Sequence, residues 1–375
     1  MPAPSRLTGR RIRRRPSLGG GLVLTVATVV VVLLVGEIVD RLRDPSASLW
    51  RYPNYVDVWQ KAWAVDPEER GVLRYDSELG YEPVPGASGT VNGQPISYSA
   101  DGFRTQNLGA PPAAGPPVLA LGDSYTEGWS VSGDESWPAH LERQLGRRTL
   151  NAGVRGYGID QMVLRAERLV PRFKPQTMVL AFIGSDIERT ALSFRDFKHK
   201  PYFVPAGDGL ELRNVPVPTP PLSGPLVAAR EVLGYSHLLD TLMRRLGAYD
   251  LWFGNNVDTG FDGVLVSCRL MDRFAALARK YNVKALVVAL RQSDRWNYPL
   301  PRAAVEQRVA AVLACAKRAG LATLDTSAAF AAAAATKDPA YFVADHYTDR
   351  GNALAAGLIA AALATGNQSA RDQPD

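Results

Sequence analysis

Residues 118–128 read Val-Leu-Ala-Leu-Gly-Asp-Ser-Tyr-Thr-Glu-Gly. The four apolar residues at the start predict a short buried strand, which Gly122 ends. Asp123 and Ser124 follow directly, at the end of the strand where a parallel sheet exposes its reactive groups. A serine hydroxyl attacks a substrate only when a base takes its proton and amide donors hold the oxyanion. A lone Gly-Asp-Ser triplet is common in loops, so its meaning depends on the rest of the chain.

Apolar strands alternate with amphipathic helices after residue 117. Fully apolar strands of this kind favour a parallel sheet covered by helices on both faces. The second helix is expected to end at Pro171. The predicted helices lie at about 137–145, 159–170, 263–280, 303–319 and 351–364, and the later strands at 149–151, 178–183, 285–290 and 322–324.

The net charge of +6 is concentrated at the N-terminus. Residues 1–17 contain six arginines and no acidic residue, so the rest of the chain has no net charge. Nucleic-acid binding needs a basic face on the folded part of a protein, and this distribution argues against nucleic acid as a partner.

Residues 18–36 form a run of nineteen uncharged residues rich in Val and Leu. This length covers about the hydrocarbon thickness of a bilayer, so we predict a transmembrane helix or signal anchor over 18–39. The preceding arginines place residues 1–17 in the cytoplasm as a basic tail and the following chain outside. A cleaved signal peptide is the alternative, but no small-x-small cleavage site follows the span directly.

The extracytoplasmic part, in the periplasm or at the cell surface, divides by composition. Residues 40–116 read as an irregular, partly stranded lead-in, 117–365 as the α/β domain, and 366–375 as a disordered tail. The domain contains an insertion at 185–262, which is too long for a plain connection. It is either a surface decoration or an arm that shapes a substrate groove, since it leaves the sheet beside Ser124.

Cys268 and Cys315 are the two cysteines of the chain, each on the apolar side of a predicted helix. Two packed thiols are favoured over a metal site, which would need more ligands. An exported protein could join them in a disulfide, but the sequence does not place the two side by side.

Four stretches occur in an order that resembles the SGNH or GDSL hydrolase family, in particular its membrane-anchored bacterial subgroup. They are Gly122-Asp123-Ser124, Asn151-Ala152-Gly153-Val154-Arg155-Gly156, Ile183-Gly184-Ser185-Asp186 and Asp345-His346. The resemblance covers about residues 118–200 and 262–364. It implies a flavodoxin-like, three-layer α/β/α fold with a parallel sheet of about five strands.

The resemblance also implies the roles of the site residues. Ser124 would be the nucleophile and His346 the base, and the backbone amides of Ser124 and Gly156 would hold the oxyanion with help from Ser185. His346 alone of the four histidines lies in a loop just before the last helix. No metal or organic cofactor is implied.

Two positions depart from the family pattern. Ser185 stands where the family has asparagine, and the hydroxyl is a shorter donor, so Asn151 or the insertion could supply the donor instead. Asp345 is adjacent to His346, whereas the family's acid stands two or three residues before the histidine. Asp345 is the predicted orienting acid, with Asp338 or a bare Ser-His pair as alternatives.

We therefore predict a membrane-anchored, extracytoplasmic serine esterase that hydrolyses an ester through an acyl-enzyme on Ser124. An O-acyltransferase or deacetylase acting on cell-envelope polysaccharide is the alternative, because a sugar hydroxyl can replace water without any change in the motifs. A non-catalytic binding protein that keeps the fold is a further alternative. The expected partners are an ester or acylated-glycan substrate and the membrane; the oligomeric state stays open.

Overall fold

The computed structural model describes residues 18–43, 71–91, 93–109, 113–196, 198–219, 233–248, 256–293, 301–335, 341–343 and 346–369. The chain forms two units, one of residues 1–56 with 222–252 and one of residues 57–221 with 253–375. The predicted basic tail at 1–17 lies outside the described residues. The last helix ends at Ser369 and so includes the first residues of the segment 366–375, which was predicted to be disordered.

The helices are α1 (Leu18–Arg43), α2 (Ser124–Glu127), α3 (Trp137–Leu145), α4 (Ile159–Phe173), α5 (Gly184–Thr190), α6 (His237–Arg245), α7 (Gly263–Tyr281), α8 (Arg302–Arg318), α9 (Ser327–Ala335) and α10 (Asp349–Ser369). The strands are β1 (Leu73–Asp76), β2 (Gly80–Pro83), β3 (Ser88–Val91), β4 (Gln94–Ser97), β5 (Ala113–Gly122), β6 (Arg147–Asn151), β7 (Thr177–Phe182), β8 (Leu192–Arg195), β9 (Lys198–His199), β10 (Tyr202–Ala206), β11 (Gly209–Arg213), β12 (Asn256–Asp258), β13 (Lys284–Ala289), β14 (Ala322–Asp325), β15 (Phe342–Val343) and β16 (His346–Tyr347).

The larger unit is built on a five-stranded sheet in the order β6-β5-β7-β13-β14. Every neighbouring pair in this sheet is parallel. The carboxyl ends of the strands therefore lie along one edge, where the loops after β5, β6 and β7 begin. The predicted parallel sheet of about five strands is confirmed.

Helices cover both faces of the sheet, and the residues of β5 show why. Leu119 and Leu121 belong to one buried cluster, together with apolar residues of α4, α7 and α8. Val118 and Ala120 belong to another, together with residues of α3 and α10. Successive side chains of a strand point to opposite faces, so a fully apolar strand needs two covering layers. The predicted three-layer α/β/α fold is confirmed.

Helix α4 does not end at Pro171 as predicted but continues to Phe173. Proline lacks one backbone N–H, and in the last turn of a helix this removes a single hydrogen bond. The helix closes at Lys174, whose φ of 44° is left-handed and whose N–H donates to the carbonyl of Val170 at 3.0 Å.

The described part of the lead-in is more regular than the sequence predicts. It contains two antiparallel hairpins, β1-β2 and β3-β4. Leu79, Tyr81 and Phe103 are buried in the same cluster as the sheet. These residues therefore pack as part of the core of the larger unit.

The insertion is divided between the two units. In the larger unit it begins within α5, continues through β8 and β9, and forms the hairpin β10-β11, while β12 pairs with β8. The apolar segment 233–246 contains α6 and belongs to the smaller unit.

In the smaller unit, the N-terminus of α6 is held by α1. The carboxylate of Glu37 accepts hydrogen bonds from the backbone N–H groups of His237 and Leu238 at 2.8 and 3.0 Å. Within residues 21–43 of α1, a window of 18 residues has a mean hydropathy of 2.8, and the helix is long enough to cross a membrane, a property that a signal sequence also has.

Cys268 and Cys315 form a disulfide, the alternative to two packed thiols that the sequence left open. Cys268 lies on α7 and Cys315 on α8, and these neighbouring helices bring the two Cα atoms to 5.2 Å. This distance is within the range that a disulfide spans. The pairing depends on how two helices pack, which spacing along the sequence does not reveal.

We expect the double substitution Cys268→Ala and Cys315→Ala to lower the free energy of unfolding by about 2–4 kcal/mol, because the bond restricts the unfolded chain. Urea unfolding of the full chain in detergent, followed by tryptophan fluorescence, measures the difference. Reduced wild-type protein is the matched control and should unfold like the variant. Two titratable thiols in the denatured, unreduced wild type would contradict the assignment.

Candidate active site

Ser124 is the first residue of α2, directly after β5. Asp123 precedes it as the helix cap, and its Oδ1 accepts a hydrogen bond of 2.9 Å from the backbone N–H of Tyr125. Gly122 makes the turn possible, because a Cβ at this position would lie 2.7 Å from the carbonyl oxygen of Ala181 in β7. Ser124 is therefore held at the carboxyl edge of the sheet.

His346 meets Ser124 at this edge. Its Nε2 lies 2.9 Å from Oγ of Ser124, within the range for direct proton transfer. The imidazole is buried, and its ring centroid lies 4.9 Å from that of Tyr125. Thr348 fixes the start of the next helix, since its Oγ1 accepts a hydrogen bond of 3.2 Å from the N–H of Gly351. Asp345 and Asp338, the predicted orienting acids, lie outside the described residues.

The loop after β6 packs tightly against α2. Nδ2 of Asn151 donates to the carbonyl of Thr126 at 2.9 Å, and its Oδ1 accepts from the N–H of Gly153 at 3.1 Å. A Cβ on Gly153 would lie 2.3 Å from the backbone nitrogen of Glu127, so only glycine fits. The side chain of Asn151 thus holds the loop in place.

Gly156 lies at the far end of this loop. It has a φ of 79°, which glycine adopts without strain. It lines the same cavity as Ser124 and His346. The structure therefore brings together three of the predicted site residues, although they lie far apart in the sequence.

Ser185 is placed differently. Gln292 contacts it twice: the side-chain Oε1 accepts from the N–H of Ser185 at 3.0 Å, and Nε2 donates to its Oγ at 2.7 Å. Ser185 does not line the cavity, in contrast to Gly156. Sequence analysis missed Gln292, although its position just after β13, at the carboxyl edge of the sheet, was an available signal.

Asp123, which precedes Ser124, belongs to a buried cluster of charged residues. Nη1 of Arg189 donates to Oδ2 of Asp123 at 3.1 Å and to Oδ1 of Asp186 at 2.6 Å. Burial raises the pKa of Asp186, and the neighbouring Asp123 raises it further, while Arg189 opposes both effects. The cluster links the turn after β5 to α5. Arg189 lies in none of the four sequence motifs, so it was not predicted as a site residue.

A second buried pair lies beside the first. Nε of Arg155 donates to the carboxylate of Glu127 at 3.0 Å, and the guanidinium lies 4.6 Å from the ring centroid of Trp129. The hydroxyl of Tyr98 also donates to Glu127. Burial raises the pKa of Tyr98, and the charge of Glu127 adds to this effect, so the phenol stays protonated.

The cavity has a volume of about 330 Å³. Three parts of the chain form its wall: the edge of the sheet, the lead-in, which contributes Tyr81, and the first part of the insertion. From the insertion, Arg195, Asp196, Lys198 and Lys200 line this wall, as expected for an arm that shapes a groove. The cavity is lined by Tyr81, Ser124, Trp129, Arg155, Gly156, Gln161, Arg189, Arg195, Asp196, Lys198, Lys200 and His346.

Comparison with known proteins gives a match to the GDSL-like lipase/acylhydrolase family over residues 120–354. No curated protein matches the sequence. Similar solved structures include a lipolytic G-D-S-L protein from Veillonella parvula, with 13% identity over 65% of this chain and 95% of that one and a TM-score of 0.39. An acetyl xylan esterase from Geobacillus stearothermophilus has 14% identity over 67% of this chain and 95% of its own, with a TM-score of 0.39.

The family match spans more than half of the chain and contains both Ser124 and His346. On this ground, the protein belongs to the GDSL-like lipase/acylhydrolase family and is an ester-bond hydrolase.

Proposed function

We propose that the protein is a membrane-anchored, extracytoplasmic serine esterase that works through an acyl-enzyme on Ser124. The observation that carries the proposal is the 2.9 Å contact between Oγ of Ser124 and Nε2 of His346 at the wall of a cavity. A nucleophile and a base at this distance form the core of a serine hydrolase.

In the first half of the reaction, Oγ of Ser124 attacks the ester carbonyl carbon while its proton moves to Nε2 of His346. The bond to the alcohol then breaks, and His346 returns the proton to the leaving oxygen. In the second half, water attacks the acyl carbon while His346 takes a proton from the water. The bond between this carbon and Oγ then breaks, and His346 returns the proton to Oγ as the carboxylic acid leaves. The acyltransferase alternative differs only in the hydroxyl that replaces water.

The negative charge on the carbonyl oxygen needs donors near Ser124. We assign this role to the backbone N–H groups of Ser124 and Gly156, because both residues line the cavity. The contacts of Ser185 with Gln292 favour a structural role for this serine at the start of α5.

A fluorophosphonate probe is expected to label the wild-type chain, and the substitution Ser124→Ala should abolish labelling because the nucleophile is missing. His346→Ala should slow labelling by at least about 10³-fold, because the serine loses its base. Gel fluorescence of the full chain in detergent measures both effects.

Two variants serve as matched controls for that labelling experiment. Ser88→Ala removes an exposed serine of β3, and His140→Ala removes the histidine that pairs with Asp349 on the surface. Both should label like the wild type. A folded wild-type chain that the probe leaves unlabelled would contradict the assigned nucleophile.

Ser185→Ala tests the assignment of the oxyanion donors. Loss of a contributing donor lowers kcat by about 10²–10³. We expect a decrease of less than about tenfold for Ser185→Ala, because its hydroxyl is used in the contact with Gln292. The measurement is kcat on a short acyl ester at saturating substrate. A hundredfold decrease with an unchanged melting temperature would instead place the Ser185 hydroxyl in the oxyanion hole.

Three observations support the proposed location. Helix α1 is apolar and long enough to cross a bilayer. The preceding residues 1–17 contain six arginines and no acid, which favours a cytoplasmic N-terminus. The disulfide between Cys268 and Cys315 is typical of an oxidising compartment outside the cytoplasm.

The anchor and the cleaved signal predict different products. For an anchor, the mature protein should retain residues 18–43, have an intact mass near 40.6 kDa and stay in the membrane pellet after alkaline carbonate extraction. Intact-mass spectrometry and extraction of native membranes measure this. External protease should digest the region after α1 in intact cells or spheroplasts. A shortened, extractable product would identify α1 as a signal sequence, and protection from protease would reverse the topology.

A further inference from the structure

The cavity beside Ser124 has an unusual charge distribution. Among the residues that line it, five are cationic and one is a carboxylate, Asp196. The cations are Arg155, Arg189, Arg195, Lys198 and Lys200.

Two of these cations, Arg155 and Arg189, are balanced by carboxylates that do not line the cavity. Glu127 pairs with Arg155, and Asp123 pairs with Arg189, but their side chains are fully buried and neither carboxylate lines the cavity. Each of these pairs therefore presents its positive end to the cavity. Oriented charges of this kind produce a positive potential inside a cleft even where the total charge is balanced.

Lys200 has a different role from the other cations. Its Nζ donates to Asp160 and also to the carbonyl oxygens of Leu192 and Pro201, each at 3.0 Å. These three acceptors match the three donors of an ammonium group. Lys200 thus stabilises the insertion, and the other cationic residues of the lining are Arg155, Arg189, Arg195 and Lys198.

Arg195 contacts the loop that contains Gly156. Its Nη1 donates to the carbonyl of Gly156 at 3.1 Å and to Oδ2 of Asp196 at 2.8 Å. A Cβ added to Gly156 would lie 2.6 Å from this nitrogen. The guanidinium therefore lies directly against the loop whose amide we assign to the oxyanion. Its side chain is 20% exposed, so it is accessible from the cavity.

Lys198 completes this side of the wall. Its Nζ lies 5.5 Å from the ring centroid of Tyr81, a residue of the lead-in. Arg195 and Lys198 belong to neighbouring antiparallel strands, where they are register partners. The insertion thus adds two adjacent cations to a site whose nucleophile comes from the sheet.

We infer that the substrate carries an anionic group, such as a carboxylate, sulfate or phosphate, next to its ester and that Arg195 and Lys198 bind this group. The inference rests on the proposed function, because it takes Ser124 as the point of attack. A long apolar acyl chain would remove water from these charged groups without offering them a hydrogen bond, which costs free energy. An anion would instead form charge-assisted hydrogen bonds with them.

The test compares kcat/KM for matched anionic and neutral esters on the full chain. One pair, 4-acetoxybenzoate and its methyl ester, places the anion on the alcohol side. The other pair, 4-nitrophenyl hydrogen succinate and 4-nitrophenyl butyrate, places it on the acyl side. The anionic-to-neutral ratio of kcat/KM is expected to decrease about tenfold in Arg195→Gln for at least one pair, since a hydrogen bond to a charged group is lost.

Three further measurements sharpen this test. Lys198→Gln should lower the same ratio, and Arg195→Lys, which keeps the charge, should recover most of it. Arg213→Gln is the matched control, because it removes an exposed cation of the same insertion that does not line the cavity. It should leave the ratio unchanged. Added salt should lower the wild-type ratio, since screening weakens exposed charges.

The outcomes separate the two proposals. Equal ratios in wild type, Arg195→Gln and Lys198→Gln, with the neutral esters hydrolysed, would overturn the anionic substrate and leave the serine esterase intact. Absence of turnover on all four esters, together with absence of probe labelling at Ser124, would overturn the proposed function and this inference with it.

Discussion

The arrangement of the site depends on the contacts that the carboxylate of Asp123 makes. One oxygen caps α2 through the N–H of Tyr125, and the other accepts from Arg189. Arg189 in turn binds Asp186, whose second oxygen accepts from the N–H of Ile183 at 2.9 Å. This chain of contacts joins the ends of β5 and β7. Breaking a buried ion pair by removing one partner costs about 3–5 kcal/mol, so the three charges must be kept together.

The sheet explains how distant parts of the sequence meet. Ser124 and His346 are 222 positions apart, yet one follows the end of β5 and the other precedes α10 at the same edge. The position of Ser124 was predictable because an apolar strand and the polar residues after it form a local pattern, whereas His346 was identified through the resemblance to the family. Gly122 and Gly153 each allow a close approach of two backbone segments that a Cβ would block.

Other features could not be predicted, because they depend on which surfaces pack together. Gln292 binds Ser185 only because β13 and β7 are neighbours in the sheet. Cys268 and Cys315 meet because α7 and α8 lie side by side. Arg189 carries no motif and is recognisable only once Asp123 and Asp186 surround it. The residues of the cavity wall from the lead-in and the insertion likewise had no local signal.

The predictable and the unpredictable residues of the site come from different parts of the chain. Ser124 and His346, the proposed nucleophile and base, lie at the carboxyl edge of the sheet, whereas the insertion contributes Arg195 and Lys198 to the wall of the same cavity. Cations at these positions would attract the anionic substrate that we infer and would also favour the negative charge that develops on the ester oxygen. A bound anion would cancel part of that field during the reaction. Stabilisation of the oxyanion would then depend mainly on donors that the anion does not occupy, and we propose the backbone amides of Ser124 and Gly156 for this role.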